Sequence, residues 1–367
     1  MMRLWLTLFF VMSASGCLNR PETRVDLDLK VGIRELDGVG SVVVAEGGAQ
    51  VHNLSDTSLV LMGQVPGFSF DINFENPTPR FTITLKNCMP SAELWLTDAT
   101  GDATALPLAD SPYPTERTWV IDNLPAGIAH FSVQAEPGVS GAPFRVAFLS
   151  DVQEAVDTVQ DIYSVMNQDP SIAFVVGGGD ITHRGYAREI EVFLEALTGL
   201  NVPMFTTSGN HDVDWGEEHA WFEQMGRNSF HFVFRGVHFS FVDSGGATVP
   251  GRVYDWLEGC LRDGRDSVHI FTTHIPPIDP VGTRNASFAS RIEAQVLLAL
   301  LARYGVDLTL YGHIHSYYKF TNAGIPAYIA GGGGGPDEKL DGIGRHYLTI
   351  DVDPALGVTG VDLVRID

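Results

Sequence analysis

Between about residues 25 and 136, apolar and polar residues alternate over short runs. Residues 68–74 and 80–86 show this alternation most clearly, and residues 92–97 and 130–134 continue it. A period of two, with β-branched and aromatic residues at the apolar positions, is typical of half-buried strands. Glycine and proline interrupt the runs and no helical pattern intervenes, so we expect an antiparallel β-sandwich domain over residues 18–136.

The pattern changes after residues 137–143, a segment rich in glycine and proline that we interpret as a linker. Apolar runs then alternate with helical patterns. The predicted strands include residues 144–150, 172–176, 202–207, 268–273 and 306–311, and the predicted helices include residues 154–167, 186–197 and 287–304. Such alternation indicates an α/β domain, which we place at residues 144–367.

Polar side chains suited to metal binding follow five of these predicted strands. In chain order they are Asp151 and Gln153, Asp180, Asn210 with His211 and Asp212, His274, and His313 with His315. Any one of these residues alone is weak evidence for a metal site, because an aspartate after a strand is often a helix cap. Ligands gather beyond the carboxyl ends of strands in α/β sheets, so the ordered set predicts one metal site. The later run of five glycines, residues 331–335, is either a flexible turn at the rim of that site or a plain loop.

The ordered set resembles the calcineurin-like metallophosphoesterase superfamily over residues 144–367. The family pattern is D-x-H, GD, GNH[DE], a histidine after a strand, and GHxH, and this chain departs from it only at Gln153, which replaces the first histidine. The resemblance implies a four-layer α/β/β/α sandwich, in which two mixed sheets are flanked by helices. It also implies a dinuclear metal centre, with Asp180 bridging both ions, Asp151 and His315 on the first ion, and Asn210, His274 and His313 on the second. His211 would face the substrate as the catalytic histidine, and Asp212 could orient or support it.

The implied activity is that of a hydrolase acting on ester bonds. A hydroxide held at the dinuclear centre would cleave a phosphomonoester or a phosphodiester. Gln153 would offer an amide oxygen, a harder and weaker ligand than imidazole, so we expect two divalent ions, with Mn²⁺ first and Mg²⁺, Fe²⁺ or Zn²⁺ as alternatives. If Gln153 faces away, the first ion is loosely held. The alternative is a catalytically impaired surface binding or scaffold protein with an incomplete metal site, and a nuclease is a third, weaker option.

Residues 1–17 predict export. Arg3 precedes an apolar run over residues 4–12, and small residues lead to Cys17, an arrangement that resembles a bacterial lipoprotein signal peptide. Ala14 stands where that motif usually has leucine. Lipidation of Cys17 would anchor the protein to a membrane of the bacterial cell envelope, facing the periplasm or the cell surface. Plain secretion and a buried N-terminal strand are the alternatives.

The charge balance narrows the set of partners. There are 23 basic and 45 acidic residues, which gives a formal net charge of −22. Proteins that bind duplex nucleic acid usually carry a basic surface, so we expect no duplex partner and a small phosphoester substrate instead. The protein partner of the β-sandwich domain is not identified. Apart from Cys17, only Cys88 and Cys260 are present and no CxxC motif occurs, so a thiolate metal site is not expected.

Overall fold

The computed structural model describes residues 21–98, 100–213, 219–282, 285–336 and 343–366. The predicted signal segment and its Cys17 lie outside these residues. Within the described ranges, no helix combines the length and the apolar character needed to cross a membrane. Cys88 and Cys260 are both free thiols.

The N-terminal part is an all-β region preceded by one helix. The helix is α1 (Pro21–Asp28), and the strands are β1 (Ile33–Leu36), β2 (Gly40–Val44), β3 (Ala49–Leu54), β4 (Ser58–Gly63), β5 (Phe68–Phe74), β6 (Thr78–Lys86), β7 (Glu93–Thr97), β8 (Ala103–Ala105), β9 (Leu108–Asp110), β10 (Glu116–Leu124) and β11 (Gly127–Gln134). A single 3₁₀ turn, Ala45–Gly47, lies between β2 and β3.

These strands form two sheets with the orders β1-β2-β5-β11-β7-β8 and β3-β4-β6-β10-β9. Their pairings are antiparallel, except that β4 and β6 run parallel. Burial alternates along β5 as the sequence pattern predicted, with Phe70, Ile72 and Phe74 inside. The ring of Phe74 meets that of Phe81 on the other sheet edge to face, at 5.0 Å between centroids. The predicted all-β region is therefore confirmed, and its two sheets share one core.

The C-terminal part contains the remaining strands and helices. The strands are β12 (Phe144–Leu149), β13 (Ile172–Gly177), β14 (Met204–Thr206), β15 (Phe230–Phe234), β16 (Val237–Val242), β17 (His269–Thr273), β18 (Leu308–Tyr311), β19 (Tyr317–Asn322), β20 (Ile325–Ala330), β21 (His346–Asp353) and β22 (Gly357–Arg365). The helices are α2 (Gln160–Met166), α3 (Ala187–Leu197), α4 (Asn210–Val213), α5 (Ala220–Gln224), α6 (Gly251–Asp263) and α7 (Arg291–Arg303), with a 3₁₀ turn at Gln153–Asp157.

Two mixed sheets pack face to face in this part, with the orders β14-β13-β12-β21-β22 and β15-β16-β17-β18-β20-β19. Phenylalanine rings fill the space between them: Phe174 meets Phe239 at 5.3 Å and Phe205 meets Phe232 at 5.4 Å between centroids. The outer faces are covered by helices, with α2 and α3 packing on the first sheet and α6 and α7 on the second. This arrangement confirms the predicted four-layer α/β/β/α sandwich.

Helix α1 packs against the C-terminal part, although we predicted no helix there and assigned its residues to the sandwich domain. The guanidinium of Arg24 pairs with Asp243 at 2.6 Å, and both side chains are almost fully buried. Asp28 accepts hydrogen bonds from the backbone N–H groups of Asn228 and Ser229, at 2.7 and 3.2 Å. The segment PETRVDLD has little apolar periodicity, because buried polar contacts rather than an apolar stripe fix the helix. The exact domain limits stay a prediction.

Candidate metal centre

The loops that follow β12 and β13 are joined by backbone hydrogen bonds. The N–H of Asp151 donates to the carbonyl of Gly179, and the N–H of Gln153 donates to the carbonyl of Asp180, both at 3.0 Å. Asp151, Gln153 and Asp180 all have positive φ, of 64°, 46° and 52°. This left-handed conformation is uncommon outside glycine, and it turns each chain away from the strand direction directly after the sheet ends.

Asp180, His274 and His313 form one group of potential ligands. One carboxylate oxygen and one nitrogen from each imidazole lie within 4.8 Å of one another. Nε2 of His274 is 3.2 Å from Oδ2 of Asp180 and 3.2 Å from Oδ1 of Asn210. The side chains predicted for the second ion are therefore brought together around Asp180.

The side chains predicted for the first ion also lie next to one another and to Asp180. Nε2 of His315 is 3.3 Å from Oδ1 of Asp151. Nε2 of Gln153 donates to Oδ2 of Asp180 at 3.0 Å and lies 3.3 Å from Nε2 of His315. Gln153 thus faces the site, but it presents its amide nitrogen, and its oxygen reaches the site only after the amide group turns over.

Two of the imidazoles are oriented by backbone carbonyls. Nδ1 of His274 donates to the carbonyl of Gly178 at 2.8 Å, and Nδ1 of His315 donates to the carbonyl of Pro336 at 2.7 Å. Each bond leaves Nε2 without a proton in the neutral ring and directs it into the site. Metal-binding histidines in proteins are commonly oriented in this way.

The charges of the site fit divalent cations. Burial opposes the ionisation of Asp151, but the hydrogen bond from His315 and the charges of His274 and His315 together hold its pKa below the usual range. Burial alone would lower the pKa of His274, but the charge and hydrogen bond of Asp180 raise it to about 9. Burial likewise opposes protonation of His315, and Asp151 raises its pKa to about 9. These raised pKa values reflect the pull of the two buried carboxylates on positive charge, and a bound divalent cation would replace the ring protons and take the freed nitrogens as ligands. Carboxylate, amide and imidazole groups then form a donor set suited to divalent cations.

His211 lies beside this donor group. Its backbone N–H donates to Oδ1 of Asp180 at 2.8 Å, and its Nδ1 donates to the carbonyl of His183 at 2.7 Å. The ring therefore holds its Nδ1 proton at a fixed acceptor, and Nε2 is the nitrogen left for a ligand. His211 also lines the cavity at the site.

Asp212 is buried and does not line that cavity. Its carboxylate accepts from the N–H and the hydroxyl of Thr182, at 2.9 and 2.7 Å, and from the N–H of Gly209 at 2.8 Å. Burial, followed by the charge of Asp180, raises its pKa to about 7. Asp212 therefore ties the loop after β13 to the loop before α4, and it supports His211 through the backbone.

The cavity at the donor group has a volume of about 320 Å³ and is lined by Asp180, His211, Asn285, Ala286, His313 and His315. We did not anticipate Asn285 or Ala286, because no sequence pattern marks the loop that carries them. Asn285 also has a positive φ, of 51°.

The five-glycine run packs directly behind the predicted ligands. The N–H of Gly333 donates to the carbonyl of Ser150, and the N–H of Gly335 donates to that of Asp151, both at 2.8 Å. A Cβ atom at Gly331 would lie 2.8 Å from Oδ2 of Asp151, and one at Gly335 would lie 2.7 Å from Cε1 of His315. Side chains here would displace the ligands, so the run is a close-packed support.

Comparisons with known proteins give one family match and several similar proteins. Residues 144–317 match the family model described as calcineurin-like phosphoesterase, which confirms the domain predicted from the sequence motifs. Purple acid phosphatase 23 of Arabidopsis thaliana is 27% identical over 261 residues, which cover 56% of this chain and 55% of that protein. The "Probable glycerophosphodiester phosphodiesterase GpdQ" of Arcobacter nitrofigilis is 28% identical over 169 residues, covering 42% of this chain and 60% of that protein.

The chain thus spans between about half and three-fifths of the length of these curated relatives. Among solved structures, a dimetal phosphatase from Danio rerio superposes with a TM-score of 0.46 at 12% identity, covering 61% of this chain and 99% of that one.

Proposed function

We propose that this protein, with its calcineurin-like phosphoesterase domain, is a metal-dependent hydrolase of small phosphomonoesters or phosphodiesters. The observation that carries the proposal is the convergence of Asp180, His274 and His313, whose ligand atoms lie within 4.8 Å of one another. These residues come from three separate strand ends, and Asp180 and His313 line a cavity that also contains His211. Polar residues from distant segments that meet in one concave site are typical of an active site.

The chain's own residues divide into two ligand groups around Asp180. Asp151, His315 and a turned Gln153 would hold the first ion, and Asn210, His274 and His313 would hold the second. Bound divalent ions would supply Lewis-acid polarisation of the phosphoester and a water of lowered pKa. The amide oxygen of Gln153 favours Mn²⁺ or Mg²⁺ over Zn²⁺ at the first position.

His211 would handle the proton of the leaving group. Its Nδ1 proton is held by the carbonyl of His183, so the ring can take up or release a proton only at Nε2. A histidine that donates a proton to a leaving oxygen typically contributes about 10²–10⁴-fold to the rate.

The substrate is proposed to be small. A cavity of about 320 Å³ lies at the lower end of the size range of ligand pockets. The formal net charge of −22 opposes the approach of long polyanions.

The test is hydrolysis of nitrophenyl phosphate and bis(nitrophenyl) phosphate by the full chain with Mn²⁺, Mg²⁺, Zn²⁺ or a chelator. We expect Asp180→Asn and His211→Ala each to lower kcat by about 10²–10⁴-fold. His130→Ala, which alters an exposed histidine of the β-sandwich, is the matched control and should leave kcat unchanged. Normal turnover in both site variants would refute the assignment.

A binding or scaffold function is the second candidate, and one observation favours it. Gln153 donates its amide nitrogen to Asp180, an orientation that offers no ligand oxygen to the first ion. Metal stoichiometry separates the two candidates: a hydrolase should bind two Mn²⁺ ions at saturation, whereas a scaffold would bind one or none and turn over neither substrate.

Export and lipid anchoring through Cys17 stay proposals that rest on the sequence alone. If they hold, the wild-type protein partitions into the detergent phase of a Triton X-114 extract. Cys17→Ala should move it to the aqueous phase, and an unchanged distribution would exclude the anchor.

A further inference from the structure

Three histidines lie together on the outer face of the second mixed sheet. His231, His238 and His269 belong to the neighbouring strands β15, β16 and β17. Their ring centroids are 5.1 to 5.7 Å apart. The alternate residues of β15 and β16, among them Phe232 and Phe239, point into the core between the two sheets.

This cluster is separate from the candidate metal centre. His269 begins β17, whereas His274 follows the last residue of the same strand. Five residues of extended chain span roughly 16 Å. The hydrolytic function proposed above makes no use of the three outer histidines.

Two nitrogen atoms of the cluster have the spacing of ligands on a shared cation. Nδ1 of His238 lies 3.2 Å from Nε2 of His231, so one ring donates a hydrogen bond to the other without an ion, and a cation would replace the shared proton. Two imidazole nitrogens bound to one tetrahedral cation at about 2.0–2.1 Å are roughly 3.3–3.4 Å apart. Both side chains stand on adjacent strands of a sheet and are only partly buried, so a cation can reach them from solvent.

The ring of His231 is held in place by hydrogen bonds through its other nitrogen, Nδ1. Nδ1 of His231 is 3.1 Å from the hydroxyl of Ser240, and that hydroxyl is 2.8 Å from Nε2 of His269. When Nδ1 of His231 donates to Ser240 and Ser240 donates to His269, Nε2 of His231 keeps its lone pair on the side facing His238. Such support behind a ligand histidine fixes its tautomer and its orientation.

The surroundings favour a cation between neutral rings. Burial lowers the pKa of His231 to about 4 and also lowers that of His238, so both rings are neutral at pH 7. Asp263, the last residue of α6, acts on both rings as a negative charge. The end of that helix lies directly against His238, since a Cβ atom at Gly264 would be 2.9 Å from Nδ1 of His238. The C-terminal end of a helix dipole attracts positive charge.

We propose that His231 and His238 bind one late first-row divalent cation, of the class Zn²⁺, Ni²⁺ or Cu²⁺, through Nε2 and Nδ1 respectively. Ser240 and His269 act as positioning residues behind His231. Imidazole nitrogens suit these metals, and the bound ion would cross-link β15 to β16 independently of the hydrolytic site.

The test uses Cu²⁺ with the full chain, free of any affinity tag and treated with chelator beforehand. Equilibrium dialysis counts the bound ions, and electron paramagnetic resonance detects nitrogen coupling to Cu²⁺. We expect His231→Gln/His238→Gln to bind one Cu²⁺ ion fewer per chain than the wild type, while hydrolysis at the other centre is unchanged. His130→Gln, which removes an exposed histidine of the β-sandwich, should bind as many ions as the wild type.

Equal stoichiometry in the wild type and the double variant would overturn the proposal, as would the same loss in His130→Gln. Ser240→Ala provides a second test, because it keeps both ligand rings and removes only the hydroxyl that supports His231. It should weaken Cu²⁺ binding at this site by about 10–100-fold. Unchanged affinity in Ser240→Ala would exclude the positioning role.

Discussion

Substitution of Gly333 by alanine should disturb the predicted first-ion ligands from behind. A Cβ atom there would lie 2.5 Å from the carbonyl oxygen of Ser150 and 3.0 Å from the carbonyl carbon of Asp151. Real Cβ contacts are essentially never under 3.0 Å, so the two segments must separate by at least about 0.5 Å. This movement strains the hydrogen bond from Gly333 to Ser150, which is 2.8 Å long. Overpacking costs about 1–3 kcal/mol, and a lost hydrogen bond about 1 kcal/mol more.

The functional effect follows from the position of Asp151. A ligand displaced by about 0.5 Å leaves its productive geometry, and a displacement of about 1 Å can cost 10²-fold in rate. We expect Gly333→Ala to unfold at lower urea concentration, to bind its first Mn²⁺ more weakly, and to turn over nitrophenyl phosphate about 10–100-fold more slowly.

The matched control for this substitution is Gly259→Ala. Gly259 lies within α6 and has open space where a Cβ would stand. Alanine there should raise the free energy of unfolding by about 0.5–1 kcal/mol, because glycine is a poor helix former. Wild-type stability and Mn²⁺ affinity in Gly333→Ala would show that the glycine run does not support the ligands.

Three further predictions concern buried polar contacts and the metal. Arg24→Met leaves Asp243 buried without its partner and should lower the free energy of unfolding by roughly 3–5 kcal/mol in urea; a loss under 1 kcal/mol would contradict the burial of the pair. Thr182→Val removes the hydroxyl that donates to Asp212 and should lower the free energy of unfolding by about 1–3 kcal/mol, whereas Thr182→Ser keeps the hydroxyl and should lower it less. Removal of divalent cations should lower Tm, and Mn²⁺ at 100 times its Kd should raise the free energy of unfolding again by about 2.7 kcal/mol. Asp180→Asn should not show this recovery, and an equal recovery in that variant would falsify the role of Asp180.

The sequence predicted the C-terminal architecture well, because its central strands are contiguous apolar runs buried on both faces. The run predicted at 172–176 is β13 (Ile172–Gly177), and the run predicted at 306–311 contains β18 (Leu308–Tyr311). Since polar residues followed each run, the rule that ligands gather at strand carboxyl ends was enough to bring Asp180 and His274 together.

Other features depend on contacts that do not show in the hydrophobic pattern of the sequence. The predicted helix over residues 154–167 is divided into a 3₁₀ turn and α2, because the N–H and the hydroxyl of Thr158 both donate to the carbonyl of Ala155 and end the first segment. Helix α1 is fixed by Arg24 and Asp243, which are far apart in the chain. Asn285 reaches the cavity from an irregular loop, where sequence patterns carry no geometric information.

Backbone strain marks the same site without any reference to motifs. Eleven described non-glycine residues have positive φ, and four of them are among the seven predicted metal ligands: Asp151, Gln153, Asp180 and His313. A left-handed conformation costs an ordinary residue about 1–2 kcal/mol, so it persists only where surrounding contacts enforce it. Those contacts are present: the loops after β12 and β13 are bonded to each other, and the N–H of His313 donates to both oxygens of Asp151, at 3.1 and 3.0 Å. These strained residues turn their side chains towards one point, and holding them there lowers the stability of the fold. Strain of this kind is typical of a functional site.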